Sequence, residues 1–386
     1  MKRLILVGAG HAHAQVLKDW ISQPVPGTEL LVVSPSALAP YSGMVPGWLA
    51  GHYRFEQICI DFEALARAAG ARWLADEVVA LDADRRRLEL SSGAWLDADV
   101  ISINIGSTLT PPALAQAHVL SLRPLGHLRV AWEALQAALA RETSRRALSI
   151  TVAGGGAAGV ESALAVRHGL ARQHPDWRLT TRLVTRSTSL LPGMASGAVR
   201  RVQAALANAN IDVQVGTDFD PQSIGAGDLL LWATGAEAHA WPAHSALATG
   251  RSGFIRIDDR LRSTSHPAIH AVGDCAEWTG STDRDDPDDQ ASTDRLVQSL
   301  PKAGVFAVRM GPTLSHNLRA SLGQGQPQPH APRLRYLALL ATADQSAVMA
   351  WGNWSAQGRW AWLWKDHIDR RFLARFLARF QVQGPG

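Results

Sequence analysis

The sequence has very few cysteines: Cys59 and Cys275 are the only two among 386 residues, and they lie far apart in the chain. This scarcity excludes a disulfide framework, a redox C-x-x-C pair and a cysteine ligand set for zinc. Two isolated cysteines are best interpreted as buried, free thiols. We therefore expect a reducing, cytoplasmic compartment and no metal site.

Long apolar runs are absent too. No stretch reaches the ~18–20 apolar residues that a membrane-spanning helix requires. The first residues lead directly into a predicted strand, so we expect no signal peptide. The net charge of +4 is small for this length and no nucleic-acid-binding motif is present, so we expect no nucleic acid partner. With 46% hydrophobic and 19% charged residues, the chain is predicted to be globular, with two or three domains.

A glycine turn follows the first apolar segment. Residues 4–7 are typical of a short buried strand, Gly8 and Gly10 come next, and residues 12–20 are typical of a helix. Such a strand, turn and helix form a cradle in which backbone N–H groups approach a pyrophosphate at the positive end of the helix. His13 stands in place of the third glycine of the G-x-G-x-x-G pattern.

A second copy of this pattern begins near residue 149. Gly154, Gly156 and Gly159 complete the glycine pattern, and Glu161 is expected in the first turn of the helix that follows. Two cradles imply two bound dinucleotides or a duplicated fold, although each could also be only a tight turn in an α/β sheet. Between the cradles, alternating apolar residues predict a β-meander over residues 71–107.

Four motifs, in this order and spacing, resemble the FAD-dependent pyridine nucleotide-disulfide oxidoreductase superfamily over nearly the whole chain. They are Gly8-Ala-Gly10, Gly154-Gly-Gly-Ala-Ala-Gly159, Ala233-Thr-Gly235 and Val272-Gly-Asp-Cys-Ala276. The resemblance implies an α/β fold of two Rossmann-like dinucleotide-binding domains, the glutathione-reductase-like FAD/NAD(P) fold, with a small C-terminal region. Residues 1–125 and 246–325 would form a discontinuous FAD-binding domain, residues 126–245 the NAD(P)-binding domain, and residues 326–386 a hairpin and an amphipathic helix.

Within the superfamily, the chain is most similar to the branch of type II NADH:quinone dehydrogenases and sulfide:quinone oxidoreductases. Three further motifs resemble NADH dehydrogenase-like proteins associated with selenide, water dikinase: Gly10-His-Ala-His13, Pro40-Tyr-Ser-Gly-Met44 and Pro301-Lys-Ala-Gly304. The lack of a redox cysteine pair departs from the disulfide reductases, and sulfide:quinone oxidoreductases also use cysteines to carry sulfur. The expected path is therefore direct, with hydride passing from a nicotinamide to flavin N5 and electrons then passing to a quinone-like acceptor.

The resemblance also implies the residues of the site. Those predicted to bind FAD are Gly8, Gly10, His11, His13, Ser34, Pro40, Tyr41, Ser42, Gly106, Gly273, Asp274, Lys302 and Ala303. Those predicted to bind NAD(P)H are Gly154, Gly156, Gly159, Arg186 and Gly235. Lys302, expected to open a helix over residues 302–322, would stabilise the reduced flavin, and Glu161 would lie near the nicotinamide; these two are the predicted catalytic residues.

Several of these residues also have purely structural interpretations. His11 and His13 either contact FAD or are hydrogen-bonded packing residues. Lys302 could be a surface lysine in the first turn of a helix, and Glu161 could be a carboxylate stabilised there by the helix dipole.

Rossmann units usually end their second strand with an acidic residue whose carboxylate binds the ribose, and both units of this sequence lack it. Ser34 follows the second strand of the first unit, and Arg186 follows that of the second. A carboxylate there binds the 2′-hydroxyl of NADH, whereas an arginine can pair with the 2′-phosphate of NADPH. We therefore expect no strong preference for NADH over NADPH, unless Arg186 points to solvent.

The C-terminal stretch Trp360–Phe380 predicts an interfacial helix that binds a membrane surface. It begins with three tryptophans in five residues, and the apolar side chains that follow fall on one helical face, opposite several arginines: Phe372, Leu373, Phe376, Leu377 and Phe380. This pattern suits a peripheral position on the inner face of a membrane, and type II NADH dehydrogenases attach through C-terminal helices. The face could equally pack on the flavin domain or against a second copy in a homodimer.

Two functions of different classes remain. The first is an FAD-dependent NAD(P)H:acceptor oxidoreductase with a quinone-like acceptor. The alternative is a flavoprotein redox partner or binding module in selenium or sulfur metabolism with little NAD(P)H turnover. A solvated acidic loop predicted over residues 279–295 and the missing ribose carboxylates favour the alternative.

Overall fold

The computed structural model describes residues 1–142, 146–279, 300–333 and 335–377, so the predicted acidic loop lies outside the described residues apart from Thr279. The helices of the described ranges are α1 (His11–Ser22), α2 (Val45–Leu49), α3 (Phe62–Ala68), α4 (Leu125–Arg141), α5 (Ala157–Gln173), α6 (Ser196–Asn208), α7 (Gly304–Ser321) and α8 (Arg359–Leu377). The strands are β1 (Lys2–Val7), β2 (Thr28–Val33), β3 (Leu38–Pro40), β4 (Cys59–Asp61), β5 (Arg72–Leu74), β6 (Val78–Asp82), β7 (Arg87–Leu90), β8 (Trp95–Asp97), β9 (Val100–Ile103), β10 (His118–Ser121), β11 (Ala147–Ala153), β12 (Arg178–Thr185), β13 (Ile211–Val215), β14 (Leu229–Trp232), β15 (Ile255–Ile257), β16 (Ile269–Ala271), β17 (Ala276–Trp278), β18 (Ala338–Ala341), β19 (Ala347–Trp351) and β20 (Trp354–Gly358).

The first parallel sheet gathers strands from two distant stretches of the chain. Its order is β16-β9-β1-β2-β5, and every pairing is parallel. Leu4, Ile5 and Leu6 on β1 are fully buried, because both faces of a parallel sheet are covered. The chain therefore leaves this unit after β9 and returns to it with β16.

The second parallel sheet has the order β10-β14-β11-β12-β13. In each of these two five-stranded sheets a central strand enters a glycine turn and then a helix, β1 to α1 in the first and β11 to α5 in the second. The predicted α/β fold with two Rossmann-like units is confirmed.

The region between the glycine turns differs from the predicted meander. Only β6, β7 and β8 form one, whereas β5 pairs in parallel with β2 and β9 pairs in parallel with β1. The helix α3 between β4 and β5 provides the crossover that a parallel pairing requires. The periodicity of apolar residues in a strand does not show whether the strand pairs antiparallel in a meander or in parallel in a larger sheet.

The C-terminal region begins with an antiparallel sheet of three strands, one more than the predicted hairpin. β18 pairs with β19, and β19 pairs with β20. Helix α8 follows β20 directly and packs back on this sheet.

Helix α7 begins at Gly304 rather than at Lys302, because Ala303 has an extended backbone and occupies the cap position. Gly311 lets α7 approach α1 closely, since a Cβ there would lie 2.9 Å from the Cβ of Gln15. The two helices thus cover the first sheet as a pair.

Helix α8 buries most of the apolar face that the sequence predicts to bind a membrane. Phe372, Leu373 and Phe376 are 8%, 3% and 4% exposed. The ring of Phe372 lies 4.6 Å from that of Tyr41, between centroids. The prediction that these three residues bind a bilayer is wrong, because they pack on the first unit, as the packing alternative requires.

The opposite face of α8 is open to solvent. Four large apolar residues on it are 38–51% exposed: Trp360, Leu363, Trp364 and Ile368. Leu377 is 53% exposed, and Phe380 lies outside the described residues. Within the described ranges, no helix is both long and apolar enough to cross a membrane.

His13 joins α1 to β9 from the place of the missing third glycine. Its Nδ1 lies 2.7 Å from the carbonyl oxygen of Gly8 and its Nε2 lies 2.8 Å from the Oγ of Ser102. Burial lowers the pKa of His13 to about 4, so the ring is neutral at pH 7. Because a carbonyl only accepts, Nδ1 donates and Nε2 accepts from the hydroxyl. These contacts support the packing alternative for this residue.

Restoring the glycine pattern with His13→Gly is therefore expected to destabilise the protein. The variant loses a buried ring and leaves Ser102 and the Gly8 carbonyl without their partner, which together cost about 2–5 kcal/mol. Denaturation by urea, followed by tryptophan fluorescence, measures the change. The matched control Ala12→Gly removes one methyl from the same helix and should cost about 1 kcal/mol. Equal stability of the two variants would contradict this role of His13.

Candidate active site

The first glycine turn lies against Asn104, which follows β9. A Cβ on Gly8 would lie 2.6 Å from the backbone oxygen of Asn104, and a Cβ on Gly10 would lie 2.0 Å from its Oδ1. Only glycine fits at these two places. The same Oδ1 accepts from the backbone N–H of Ala12 at 3.2 Å, and Nδ2 donates to the carbonyl of Val272 at 2.8 Å. Asn104 therefore fixes the start of α1 to the segment that leads into Asp274.

Asp274 is held by Arg123. The guanidinium forms an ion pair with the Asp274 carboxylate, and it also hydrogen-bonds the Ser107 hydroxyl and the carbonyl of Lys302. The side chain of Asp274 is 17% exposed and that of Arg123 is 25% exposed, so a ligand can reach the pair. Gly273, next to Asp274, has a positive φ of 74°.

Asn104 and Arg123 were missed by the sequence analysis. A polar residue at the end of an otherwise buried strand was the available signal for Asn104. For Arg123 the sequence offers no comparable signal, because its partners are far away in the chain.

Lys302 lies two residues before α7 and its side chain points inward. Its Nζ donates to the carbonyl of Ala276 and lies 3.8 Å from the centre of the Phe254 ring. Burial lowers the pKa of Lys302, while the neighbouring Cys275 and Asp274 oppose that shift. These contacts disfavour the surface-lysine alternative and place the ammonium beside the Asp274 segment.

Three rings form a cluster at the start of α1. The ring of His11 lies 5.3 Å from that of Tyr41 and 5.9 Å from that of Phe372, between centroids. The Nε2 atom of His11 is buried without a hydrogen-bond partner, and burial lowers the pKa of His11 to about 4. Ser42, next to Tyr41, lies against the start of α7, since a Cβ on Gly304 would come within 2.7 Å of its Oγ.

The remaining predicted FAD residues lie at or near the ends of strands β2, β3 and β9 and just before helix α7. Ser34 is buried at the end of β2, Pro40 is buried in β3, and Ala303 immediately precedes α7. Gly106 has a φ of 73°, and a Cβ there would meet no atom within 4 Å.

The second glycine turn is built in the same way around β14. A Cβ on Gly154 would lie 2.1 Å from the backbone oxygen of Ala233, and a Cβ on Gly159 would lie 2.1 Å from that of Gly154. By contrast, a Cβ on Gly156 or Gly235 would meet nothing within 4 Å. Two of the glycines therefore serve close packing, and the other two face open space beside the start of α5.

Glu161 lies in the second turn of α5 rather than in the first, because the helix begins only at Ala157. Its Oε1 accepts from the backbone N–H of Ala341 at 2.8 Å. Burial raises the pKa of Glu161 to about 7, and the charge of Asp369 adds to this, while Lys365 opposes it. A half-buried carboxyl in contact with the C-terminal region does not match the helix-dipole alternative.

Arg186 extends from the end of β12 into solvent. Its side chain is 85% exposed, and its Nε lies 3.9 Å from an oxygen of the equally exposed Asp218. Such a pair contributes little to stability, so the guanidinium is available to a ligand.

Both thiols are buried, and burial raises the pKa of Cys59 to about 12 and that of Cys275 to about 11. Each therefore remains protonated at neutral pH. Among the residues that the structure describes, no group of His, Cys, Asp and Glu has the arrangement of a metal site.

These residues fit a dinucleotide at each glycine turn. Gly106, Gly156 and Gly235 leave open space, and a buried nitrogen of His11 lacks a partner in the first unit. Two parallel sheets that each open into a glycine turn and a helix define the class of paired dinucleotide-binding folds. The chain belongs to the pyridine nucleotide-disulphide oxidoreductase family, whose profile matches residues 2–311. The predicted superfamily is thus confirmed.

Similar proteins agree with this assignment. An NADH dehydrogenase-like protein of Mycobacterium tuberculosis is 26% identical over 226 residues, which cover 54% of this chain and 56% of that protein. The chain thus spans about half the length of the curated relatives it matches. The sulfide:quinone oxidoreductase of Aquifex aeolicus superposes with a TM-score of 0.75 at 16% identity, covering 97% of this chain and 91% of that one. NDH2 of Plasmodium falciparum, solved with NADH, gives a TM-score of 0.75 at 13% identity, covering 100% and 99%. At these identities the solved structures show a shared fold.

The half-buried Glu161 carboxyl makes stability depend on pH. Its folded-state pKa of about 7 exceeds the ordinary value of 4.5, so the stabilisation from this group is complete below pH 4.5 and is lost as the pH rises through 7. The variant Glu161→Gln lacks this titration. The free energy of unfolding of the wild type should therefore fall by about 2–3 kcal/mol relative to Glu161→Gln between pH 5 and pH 8.

Chemical denaturation at both pH values measures this difference. The control Glu133→Gln changes an exposed carboxylate on α4 and measures the effect of removing one surface charge at the same two pH values. If Glu161→Gln and the wild type respond equally to pH, the Glu161 carboxyl does not titrate in this range.

Proposed function

We propose that the protein is an FAD-dependent NAD(P)H:acceptor oxidoreductase with a quinone-like acceptor. The observation that carries this proposal is the pair of glycine turns, of which the first opens beside Asp274 and the second beside Glu161, with no pair of cysteines in reach of either. When bound, FAD accepts a hydride from the nicotinamide and passes electrons to the acceptor. The NADH dehydrogenase-like relative and the quinone-linked solved structure are consistent with this chemistry.

The chain's own residues would bind and orient the two nucleotides. Backbone N–H groups at the starts of α1 and α5 would face the two pyrophosphates. Asp274, held by Arg123, would accept hydrogen bonds from the ribityl hydroxyls, and the start of α7 with the Lys302 ammonium would favour negative charge on the flavin. The rings of His11, Tyr41 and Phe372 exclude water from this side of the site.

Anaerobic mixing with NADH or NADPH tests the function. We expect a yellow protein that releases FAD on heating, whose flavin absorption is bleached by either coenzyme and restored by a soluble quinone. The flavin of Asp274→Ala should be retained less tightly, because the ribityl hydrogen bonds are worth about 1–3 kcal/mol. A flavin that neither coenzyme bleaches would contradict the dehydrogenase and favour the redox-partner alternative, in which Ser34 leaves ribose recognition incomplete.

Arg186 is expected to support NADPH. Its exposed guanidinium can pair with the 2′-phosphate, whereas Asp218 beside it opposes that charge. Arg186→Ala should slow flavin reduction by NADPH more than reduction by NADH. Asp218→Asn should instead speed reduction by NADPH more than reduction by NADH. Stopped-flow rates with both coenzymes decide this. A wild type that reacts far faster with NADH, together with an Arg186→Ala variant that behaves identically, would contradict the role.

The exposed face of α8 is proposed to rest on an anionic membrane surface and so to bring the site to membrane quinone. Trp360 and Trp364 stack at 6.4 Å on this face, and tryptophan favours the interface between lipid and water. Trp360→Ser/Trp364→Ser should reduce co-sedimentation with anionic liposomes. The control Trp95→Ser changes an equally exposed tryptophan on β8 and should bind like the wild type. Absence of wild-type protein from the pellet at low salt would contradict this attachment.

A further inference from the structure

The two histidines of the first glycine turn have different surroundings. His13 uses both ring nitrogens, one on the carbonyl of Gly8 and one on the hydroxyl of Ser102. The Nε2 atom of His11 is buried as well, but it has no hydrogen-bond partner. A buried polar nitrogen without a partner is unfavourable, and an apolar side chain packed here would avoid that penalty. The unpaired nitrogen of His11 therefore points to a ligand that supplies the missing partner.

His11 is the first residue of α1 and directly follows Gly10. Because the Cα–Cβ bonds of a helix tilt toward its N-terminus, a side chain in this position extends toward the space in front of the helix. This is the side on which the glycine turn would receive a pyrophosphate. The ring is also near enough to Asp274, the predicted ribityl ligand, for the two side chains to interact electrostatically. His11 is thus near both the turn that fits the phosphates and the carboxylate that fits the ribityl chain.

Positive charge is scarce at this turn. Residues 8–17 include no lysine, arginine, aspartate or glutamate. The guanidinium of Arg123 is paired with Asp274, and the ammonium of Lys302 donates to a backbone carbonyl. The diphosphate of FAD carries two negative charges at neutral pH, and the helix dipole supplies only partial positive charge against them. A histidine that gains a proton at the helix start would provide a full positive charge where the diphosphate binds.

We propose that His11 binds the FAD diphosphate as an imidazolium, so that the protein takes up one proton from solvent when FAD binds. This inference rests on the proposed function, but only on its requirement for bound FAD. One ring nitrogen of His11 gains the proton, and the N–H at Nε2 donates to a phosphate oxygen. No electron is transferred in this step. The affinity for FAD should consequently increase as the pH falls.

The surroundings of His11 make its charge depend on the ligand. Burial lowers the pKa of His11 to about 4, against the opposing effect of Asp274, so the ring by itself is neutral at pH 7. A negative charge within hydrogen-bonding distance raises the pKa of a histidine, and the diphosphate brings two. The phenol of Tyr41 keeps its proton, because burial raises its pKa. The titratable and charged groups around the ring come from three elements: Asp274 after β16, Tyr41 after β3, and Asp369 and Arg375 of α8, which act on Tyr41.

The test measures how tightly the purified, FAD-loaded full chain holds its cofactor at pH 6, 7 and 8. Dilution releases FAD, and the fluorescence of the free flavin gives the dissociation constant. FAD itself has no group that titrates in this range. The wild type should bind FAD roughly tenfold more tightly at pH 6 than at pH 8, because the bound form gains a proton that the free protein lacks.

Three substitutions separate charge from packing. His11→Gln keeps a hydrogen-bond donor but cannot become charged, so at every pH it should hold FAD about as weakly as the wild type does at pH 8. His11→Lys is positively charged throughout the range, so its affinity should not change with pH. The control His174→Gln changes another histidine whose Nε2 is buried without a partner, at the end of α5 far from its glycine turn. This control should keep the pH dependence of the wild type.

Nuclear magnetic resonance of the FAD-loaded protein, labelled with ¹⁵N in histidine, reads the charge directly. The imidazole signals that disappear in His11→Gln should be those of a charged ring at pH 6 and of a largely neutral ring at pH 8. A role of His11 in packing alone would leave this ring neutral at both pH values.

Equal FAD affinity of the wild type at pH 6 and pH 8 would overturn the proposal, as would a His11→Gln variant with the pH dependence of the wild type or a His11 ring that is neutral at pH 6. The measurement needs no coenzyme. A yellow protein that NAD(P)H does not bleach contradicts the dehydrogenase function and leaves these affinities to decide the proton uptake. A protein that binds no FAD contradicts both.

Discussion

The hydrogen bonds of one buried amide, that of Asn104, hold the first half of the site together. They join the start of α1 to the segment that carries Gly273 and Asp274, although these pieces are far apart in the chain. The approach of Gly8 and Gly10 to Asn104 is so close that neither glycine can carry a Cβ. Because an unpaired buried amide costs about 1–3 kcal/mol, any shift of α1 away from β9 is opposed. The geometry of the cradle thus depends on this side chain as much as on its glycines.

The C-terminal region gives the two units a common surface. In its sheet, the backbone N–H of Ala341 donates to Glu161 of the second unit. In α8, the ring of Phe372 packs on that of Tyr41 in the first unit. Burial on both sides leaves the charged side chains Lys365 and Asp369 at the centre of the contact. The helix whose outer face is proposed to rest on a membrane therefore packs its inner face on the ring cluster at the start of α1.

The glycine turns could be predicted from the sequence because their signal is local: a strand, glycines at fixed spacing and a helix. The role of Arg123 could not, since its partners are brought to it only by the folded chain. The start of α7 was misplaced because backbone conformation at Ala303, and not a capping side chain, ends the preceding loop. For α8, both faces are rich in aromatic residues, so periodicity could not tell which one is buried.

The central claim is that the two glycine turns bring a nicotinamide and a flavin together. Single-turnover reduction of the flavin, without oxygen and at saturating coenzyme, tests it most directly when C4 of the coenzyme carries deuterium on one face or the other. Direct hydride transfer predicts that one deuterated isomer reduces the flavin more slowly than the unlabelled coenzyme, while the other reacts at the unlabelled rate. Reduction at the same rate by all of them would contradict direct hydride transfer at this site.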